Sequence, residues 1–374
     1  MMGELLTISE AAKRIHVSRQ TIYTWIQEGR IKPVLTPGGR RRIPEEQLII
    51  GKLESEEQYV SDVFPVRNIS QLDSIQNEPM GTKEKYWFPR TEEHWYWDSL
   101  GSEYREFIFK AGREGMGENW AEKVAAELCT LLDLPHAQYD LATYKNKRGV
   151  ISPTFVPSGA SLRHGNEILA TYIVGYEKSK RYHQTQHTVN AVFDILNDEK
   201  VQLPLGWIDN KEMRRASDVF TGYLMLDALI ANTDRHHENW GLIGVPQAKK
   251  VYLAPTFDHA SSLGRNVTDD ERWERLTTKD AGRSMSSYVN RARSAFYLDQ
   301  DARKPLSTLE VFQQAACKRP EGARYWLNKL EMVSPDDIEA VILKIPSAEM
   351  SEVAKEFSWT ILNLNKQRLL ALKT

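Results

Sequence analysis

Two stretches constrain this chain more than anything else in it. The first is Asn232-Thr233-Asp234-Arg235-His236-His237-Glu238-Asn239-Trp240-Gly241, and the second, beyond an apolar run, is Leu253-Ala254-Pro255-Thr256-Phe257-Asp258-His259-Ala260-Ser261. Val219, Tyr223, Leu226 and Ile230 recur at helical spacing ahead of the first, which predicts a long helix over roughly 214–232 that delivers the loop. Asp234 and Asn239 stand five residues apart, and Asp258 follows at the end of an expected strand. Phosphoryl transfer asks for such a set: a carboxylate to orient or deprotonate the acceptor hydroxyl, and oxygen ligands for a Mg²⁺ ion bridging the phosphates.

A lysine to hold those phosphates is the next requirement. Glu106-Phe107-Ile108-Phe109-Lys110 alternates as a strand does, with Ile108 and Lys110 on one face. The Gly112–Gly117 loop then leads into a helix that carries Glu122, with Val124, Leu128 and Leu131 as its buried stripe. A strand lysine oriented by a helix glutamate can position the α- and β-phosphates of ATP. Taken alone, Lys110 and Glu122 read better as solvated surface residues, and it is the two loops above that favour the functional reading. His236, His237 and His259 raise the alternative of a metal hydrolase, but no HExxH or comparable ligand pair accompanies them, and the first two read as braces for the loop.

At 374 residues the chain calls for more than one folding unit, and 41% hydrophobic with 27% charged residues is the composition of a globular protein. It has no apolar run long enough to span a bilayer, no secretory leader and only two cysteines without CxxC spacing. The expectation is a soluble, cytoplasmic protein with no membrane partner. A net charge of −2 hides an asymmetry: residues 1–44 hold eight Lys/Arg against three Asp/Glu, a net of +5, leaving −7 for the rest. A basic module ahead of an acidic body suits a protein of which only the first part meets a polyanion.

Within that module, Thr7 or Ser9 can cap a first helix bearing Ala11, Ala12 and Ile15, and Ser18 can cap a second in which Ile22, Trp25 and Ile26 share a face. The other face of the second helix presents Arg19, Gln20 and Tyr23, residue types suited to base edges in a major groove. Gly38-Gly39-Arg40-Arg41-Arg42 reads as a hairpin tip that contacts phosphates. Residues 51–80 turn polar and read as a linker, with one short strand near Val63–Val66. Residues 264–304 read as a solvated loop that can face a protein substrate, with Ser284, Ser286 and Ser287 as candidate regulatory sites, and 306–374 as a helical end.

Residues 5–50 resemble the MerR and excisionase family of winged helix-turn-helix domains, through "TISEAAK", "SRQTIYTWI" and "GGRRR" in that order. The body, about 81–374, resembles the HipA-like serine/threonine kinases, a bacterial branch of the kinase fold that includes toxins of toxin–antitoxin pairs. "NTDRHHENWG" and "LAPTFDHASSLG" match that family's catalytic and metal loops, "FIFK" its nucleotide lysine and "WAEKVAAELCTLLDLPHA" its first-lobe helix. The resemblance implies Asp234 as the catalytic aspartate, Asn239 and Asp258 as Mg²⁺ ligands, Lys110 as the ATP lysine and Glu122 as its partner. It further implies ATP and Mg²⁺ as cofactors, a protein substrate such as an aminoacyl-tRNA synthetase, and an antitoxin partner, with duplex DNA bound through residues 1–50. The family's phosphate-loop serine has only loose counterparts here, at Gly81-Thr82-Lys83 and Ser99–Ser102.

The expected fold is a small winged helix-turn-helix followed by an α+β, two-lobed, kinase-like body whose C-terminal lobe is mainly helical. Its divisions are 1–50, a linker 51–80, a first lobe 81–158 and a second lobe 159–374. Two other functions share parts of the pattern. Phosphatidylinositol-kinase-like lipid kinases carry a similar "NTDR…NW" loop, and a DNA-binding transcriptional regulator could keep a degenerate kinase fold.

Overall fold

A computed structural model describes positions 5–7, 10–11, 14, 22, 25–26, 31–35, 41–45 and 47–48, then residues 63–77, 84–89, 106–207, 212–246 and 250–373. The chain divides into two compact units, residues 1–64 with 343–346, and residues 65–342 with 347–374.

The first unit holds a small antiparallel sheet of β1 (Leu5–Leu6), β2 (Val34–Leu35) and β3 (Arg41–Pro44), in the order β1-β3-β2. Leu6 stands opposite Ile43, Val34 opposite Arg42 and Leu35 opposite Arg41, so two of the three cations expected at a hairpin tip lie within β3 instead. Thr7 settles the choice between the two capping candidates. Its hydroxyl accepts from the Glu10 amide at 3.1 Å while the Glu10 carboxylate accepts from the Thr7 amide at 2.8 Å, a reciprocal capping box. Leu6, Ala11, Ile22, Trp25, Ile31, Ile43 and Leu48 form one core with Ile26 against it, so the predicted apolar face of the second helix is the buried one. Arg19, Gln20, Tyr23 and Arg40, expected to meet DNA, lie outside the described residues.

The second unit is built on a six-stranded sheet of β4 (Arg67–Asn68), β5 (Gln76–Asn77), β6 (Lys85–Pro89), β7 (Glu106–Ala111), β8 (Asp140–Tyr144) and β9 (Lys147–Pro153), ordered β4-β8-β9-β7-β6-β5. Among the described strands of this sheet, β4 alone pairs in parallel, with β8. This corrects the reading of 51–80 as a linker: Arg67–Asn68 and Gln76–Asn77 belong to the sheet, and the strand expected near 63–66 begins at Arg67. Two-residue edge strands are too short to show an alternating pattern, which is why they pass for linker.

Helix α1 (Glu118–Leu131) packs across β8 and β9. Further along come β10 (Ser161–His164), α2 (Gly165–Tyr172), α3 (Val189–Leu196), β11 (Val201–Gln202), α4 (Ala216–Leu229), β12 (Gly241–Gly244) and β13 (Val251–Leu253). Strands β10, β12, β13 and β11 make a second sheet in that order. All fourteen residues of α4 are buried. It is packed by α7 (Thr308–Lys318), α8 (Pro320–Met332) and, beyond α9 (Pro335–Leu343), by α10 (Glu352–Leu370), and therefore forms the axis of a helical lobe.

Two helices, α5 (Asp269–Thr277) and α6 (Met285–Asn290), lie where the sequence suggests a solvated loop. Each starts from a side-chain cap, Thr268 and Ser284 respectively. In α5 the buried residue is Arg272, so no apolar stripe marks it. Ser284 and Ser287, proposed as regulatory sites, are engaged in this capping, with Ser284 Oγ accepting from the Ser287 amide at 3.3 Å.

Candidate active site

In β7 the alternation sends Phe107 and Phe109 into a core with Phe88, Tyr144 and Ile151, and turns Ile108 and Lys110 to the opposite face, where both line a cleft of about 330 Å³. Lys110 pairs in register with Lys85 on β6 and Val150 on β9. The next pair down the ladder needs a glycine: a Cβ at Gly149 would stand 2.2 Å from the Lys110 carbonyl oxygen.

The Lys110 ammonium lies 3.2 Å from the Tyr139 hydroxyl and 4.0 Å from an Asp258 carboxylate oxygen. Burial alone would push its pKa down. The negative charge of Asp258, followed by Tyr139 and Glu122, more than reverses this and keeps the ammonium protonated well above the ordinary lysine range.

Glu122 is buried in α1, and its carboxylate accepts from the His259 amide at 2.6 Å, with the His259 ring Nδ1 3.3 Å away. Burial raises its pKa, but the bond from His259 and the charge of Lys110 outweigh burial and hold it below the usual value. Glu122 therefore fixes the residue after Asp258 and reaches Lys110 through its field. Among the described residues, the carboxylate within ion-pair distance of Lys110 is that of Asp258.

The loop after α4 is shaped by an enclosed ion pair that sequence reasoning missed. Arg235 places two guanidinium nitrogens at 2.8 Å from the two Asp227 oxygens. Its other donors reach the carbonyls of Asn239 at 2.6 Å and Phe257 at 3.1 Å, and the Thr256 hydroxyl at 2.9 Å. One guanidinium thus ties both functional loops to α4. Asn232 adds a bond to Asp227 at 2.8 Å and accepts from the Asp234 amide at 3.1 Å.

Asn239 Nδ2 donates to the Asp234 carbonyl at 2.7 Å, so its Oδ1 is the atom that a cation could meet. Asp234 itself accepts from Ser261 Oγ at 3.4 Å, and Asp234, Asn239 and Asp258 all line the cleft. Asp258 adopts φ 60°, a left-handed conformation rare for a non-glycine residue and a mark of local constraint at this loop. The predicted set is therefore gathered in one place, with Tyr139, His259, Arg235 and Asp227 as its unforeseen supports.

The remaining lining joins apolar side chains, including Trp87, Ile108, Leu162 and a Phe155–Phe257 stack with centroids 5.5 Å apart, to the cations Lys85, Arg113, Arg181 and Arg265. Glu118, at the start of α1, holds two of these cations, with Oε1 3.2 Å from Arg113 and 3.0 Å from Arg265. Two histidines brace the loop as expected, His237 through the Tyr176 hydroxyl at 2.7 Å and His236 by accepting from the Glu238 amide at 3.2 Å. Burial holds them down to about 4 and about 3 respectively, so both are neutral near pH 7. Among the described residues no group of His, Cys, Asp and Glu forms a separate metal cluster.

Comparison with known proteins bears on this arrangement. Residues 5–49 match the family described as a helix-turn-helix domain. The serine/threonine-protein kinase CtkA of Helicobacter pylori is 26% identical over 251 residues, 67% of this chain and 70% of that one. The crystal structure of a H. pylori proinflammatory kinase CtkA superposes with a TM-score of 0.62 at 20% identity, over 83% of this chain and all of that one.

The body is homologous to CtkA and has its kinase fold.

A second solved structure, Shewanella oneidensis HipA with HipB and operator DNA, matches at a TM-score of 0.46 and 12% identity over 92% of this chain and 74% of that one. The chain thus joins a helix-turn-helix domain to a kinase-like body with CtkA's fold. No helix among the described residues is long and apolar enough to cross a membrane.

Proposed function

We propose that this chain is an ATP- and Mg²⁺-dependent serine/threonine protein kinase whose N-terminal unit binds duplex DNA. The observation that carries the proposal is the convergence of Lys110, Asp258, Asn239 and Asp234 on one cleft, with Lys110 4.0 Å from Asp258. Among apolar residues such as Ile108, Leu162 and the Phe155–Phe257 pair a purine would find its surface, while Lys110, Arg113 and Lys85 face phosphates.

A carboxylate and an amide oxygen are hard donors that suit Mg²⁺, which keeps waters and phosphate oxygens in its other positions, so Asp258 and Asn239 fit the ion. Mg²⁺, when bound, would neutralise charge on the phosphates. Asp234 would accept or orient the proton of the acceptor hydroxyl, its backbone fixed by Asn232 and Asn239. With an operator-binding unit in cis, the chain would combine in one polypeptide the kinase and DNA-binding parts of a toxin–antitoxin or related regulatory system.

Separate substitutions test the reading. Asp234→Asn keeps volume and should bind Mg·ATP yet lose about 10²–10⁴-fold in transfer to protein. Asp258→Asn should weaken nucleotide binding only when Mg²⁺ is present. Calorimetry with Mg·ATP, together with labelling of lysate proteins from radioactive ATP, reads both. A wild-type chain that binds no Mg·ATP and labels nothing ends the proposal.

A further inference from the structure

A second cavity, also of about 330 Å³, shares Ser261 and Arg265 with the nucleotide cleft. Ser261 Oγ donates to Asp234 Oδ2 at 3.4 Å and accepts from Arg265 Nη2 at 3.1 Å, so the cavity begins one hydrogen bond from the proposed base. Thr233, the residue before Asp234, lines it too. Its described lining contains three arginines, Arg265, Arg275 and Arg291, and no carboxylate.

The three cations are not equally available. Arg265 is paired with Glu118 at 3.0 Å and Arg275 with Glu271 at 2.7 Å, so their charges are largely offset. Arg275 also lies over the Tyr288 ring, 5.2 Å from its centroid, which fixes its guanidinium in the wall. Arg291, at the end of α6, is exposed, and no ion pair engages it among the described residues. The cavity therefore combines a prearranged wall of guanidinium donors with one uncompensated positive charge.

We propose that this cavity binds an anionic side chain of the protein substrate, close to the serine or threonine that accepts phosphate. The proposal rests on the kinase reading above and deepens it by naming a substrate class. Guanidinium forks match carboxylate and phosphate oxygens with paired charge-assisted hydrogen bonds, whereas an uncharged side chain would leave Arg291 no better placed than in water. An anion on the same segment as the acceptor would dock intramolecularly once that hydroxyl approached Asp234, which raises its effective concentration at the cavity. Carboxylate and phosphoserine offer the same chemistry, and the test separates them.

The full chain, with Mg²⁺ and a non-hydrolysable ATP analogue, is titrated into fluorescein-labelled serine peptides identical except for flanking Glu, Gln, Lys or phosphoserine. The Glu peptide should bind about tenfold more tightly than the Gln peptide, on the strength of one charge-assisted pair. A still tighter phosphoserine peptide also supports the site and makes a phosphorylated residue its occupant. Arg291→Gln should shrink the Glu preference to about twofold or less, and Arg291→Glu should move it to the Lys peptide, because the deciding charge is removed or reversed. Thermal melting of both variants checks that this exposed position has not disturbed the fold. Equal binding of Glu, Gln and phosphoserine peptides by the wild type, or an undiminished preference in Arg291→Gln, overturns the proposal. Binding needs no turnover, so a Glu preference alongside a complete lack of phosphoryl transfer would sink the kinase reading and leave the cavity assignment standing.

Discussion

Lys110 and Arg235 are both cations beside carboxylates, but Lys110 is half-buried and opens onto a cleft while Arg235 is enclosed with its side chain 1% exposed. Their removal should fail in opposite ways. Lys110→Met keeps the alkyl stem and takes away only the charge, so melting should change little while phosphoryl transfer falls by about 10²-fold or more, as for loss of one preorganised group facing developing charge. Arg235→Ala leaves Asp227 buried with its charge uncompensated and should cost about 3–5 kcal/mol of stability by denaturant titration, with activity lost as a consequence. A stable, inactive Arg235→Ala would instead make Arg235 part of the chemistry. The polar residues that line the cleft were legible in the sequence, since Asp234, Asn239, Asp258 and Lys110 stand in the order and spacing that drew attention to them there. Their supports were not. Arg235 lies inside the same motif, yet nothing in its neighbours shows that it turns back to Asp227, and Tyr139 and His259 reach Lys110 and Glu122 only through tertiary contact.

Elements with a full apolar period were readable, and those without one were not. Helix α4 buries the predicted Val219, Tyr223 and Leu226, and α1 buries Val124 and Leu128 but leaves Leu131, expected in the same stripe, exposed at its last turn, whereas α5 buries an arginine and β4 and β5 have two residues each, too few to display a period. Joints between elements are less visible still, and His187 is one of them. Trp240, just before β12, donates to His187 Nε2 at 3.3 Å, its Nδ1 meets the Ala295 carbonyl at 3.2 Å, and its ring stacks on Phe296 at 4.0 Å, all immediately ahead of α3. Burial, with His237, His236 and Arg235 adding positive charge or potential charge nearby, depresses its pKa to about 3. The folded ring is neutral at pH values where the unfolded one, near 6.5, takes up a proton. Its contribution is therefore present above about pH 6.5 and is lost as pH falls toward 3, at up to about 1.4 kcal/mol per pH unit. Between pH 7 and pH 5 the wild type should lose about 2 kcal/mol more unfolding free energy than His187→Gln, which keeps polar atoms but cannot titrate. Parallel losses in the two proteins would mean that His187 is already protonated in the fold.

Each unit of the molecule has its own core, that of the first made by Leu6, Ile22, Trp25 and Ile43 around its small sheet, and that of the second by the aromatic side of the six-stranded sheet and by α4. Separate cores let substitutions in one unit leave the other's binding intact, and the charge asymmetry assigns the polyanion to the first. In the full chain, Arg41→Ala removes one cation from β3, and should weaken binding to every duplex alike while lowering the slope of log K against log salt by about one. Arg19→Ala, if its side chain reads a base edge, should relax discrimination among sequences at a cost of about 1–3 kcal/mol and leave that slope nearly unchanged. Asp234→Asn should alter neither quantity. Fluorescence anisotropy with the chain's own promoter region and a scrambled duplex, repeated at several salt concentrations, separates the three outcomes. Binding that is absent, or indifferent to salt, in the wild type would remove DNA as the partner of the first unit, while a slope change in Asp234→Asn would show that the Asp234 cleft and the first unit act on one another.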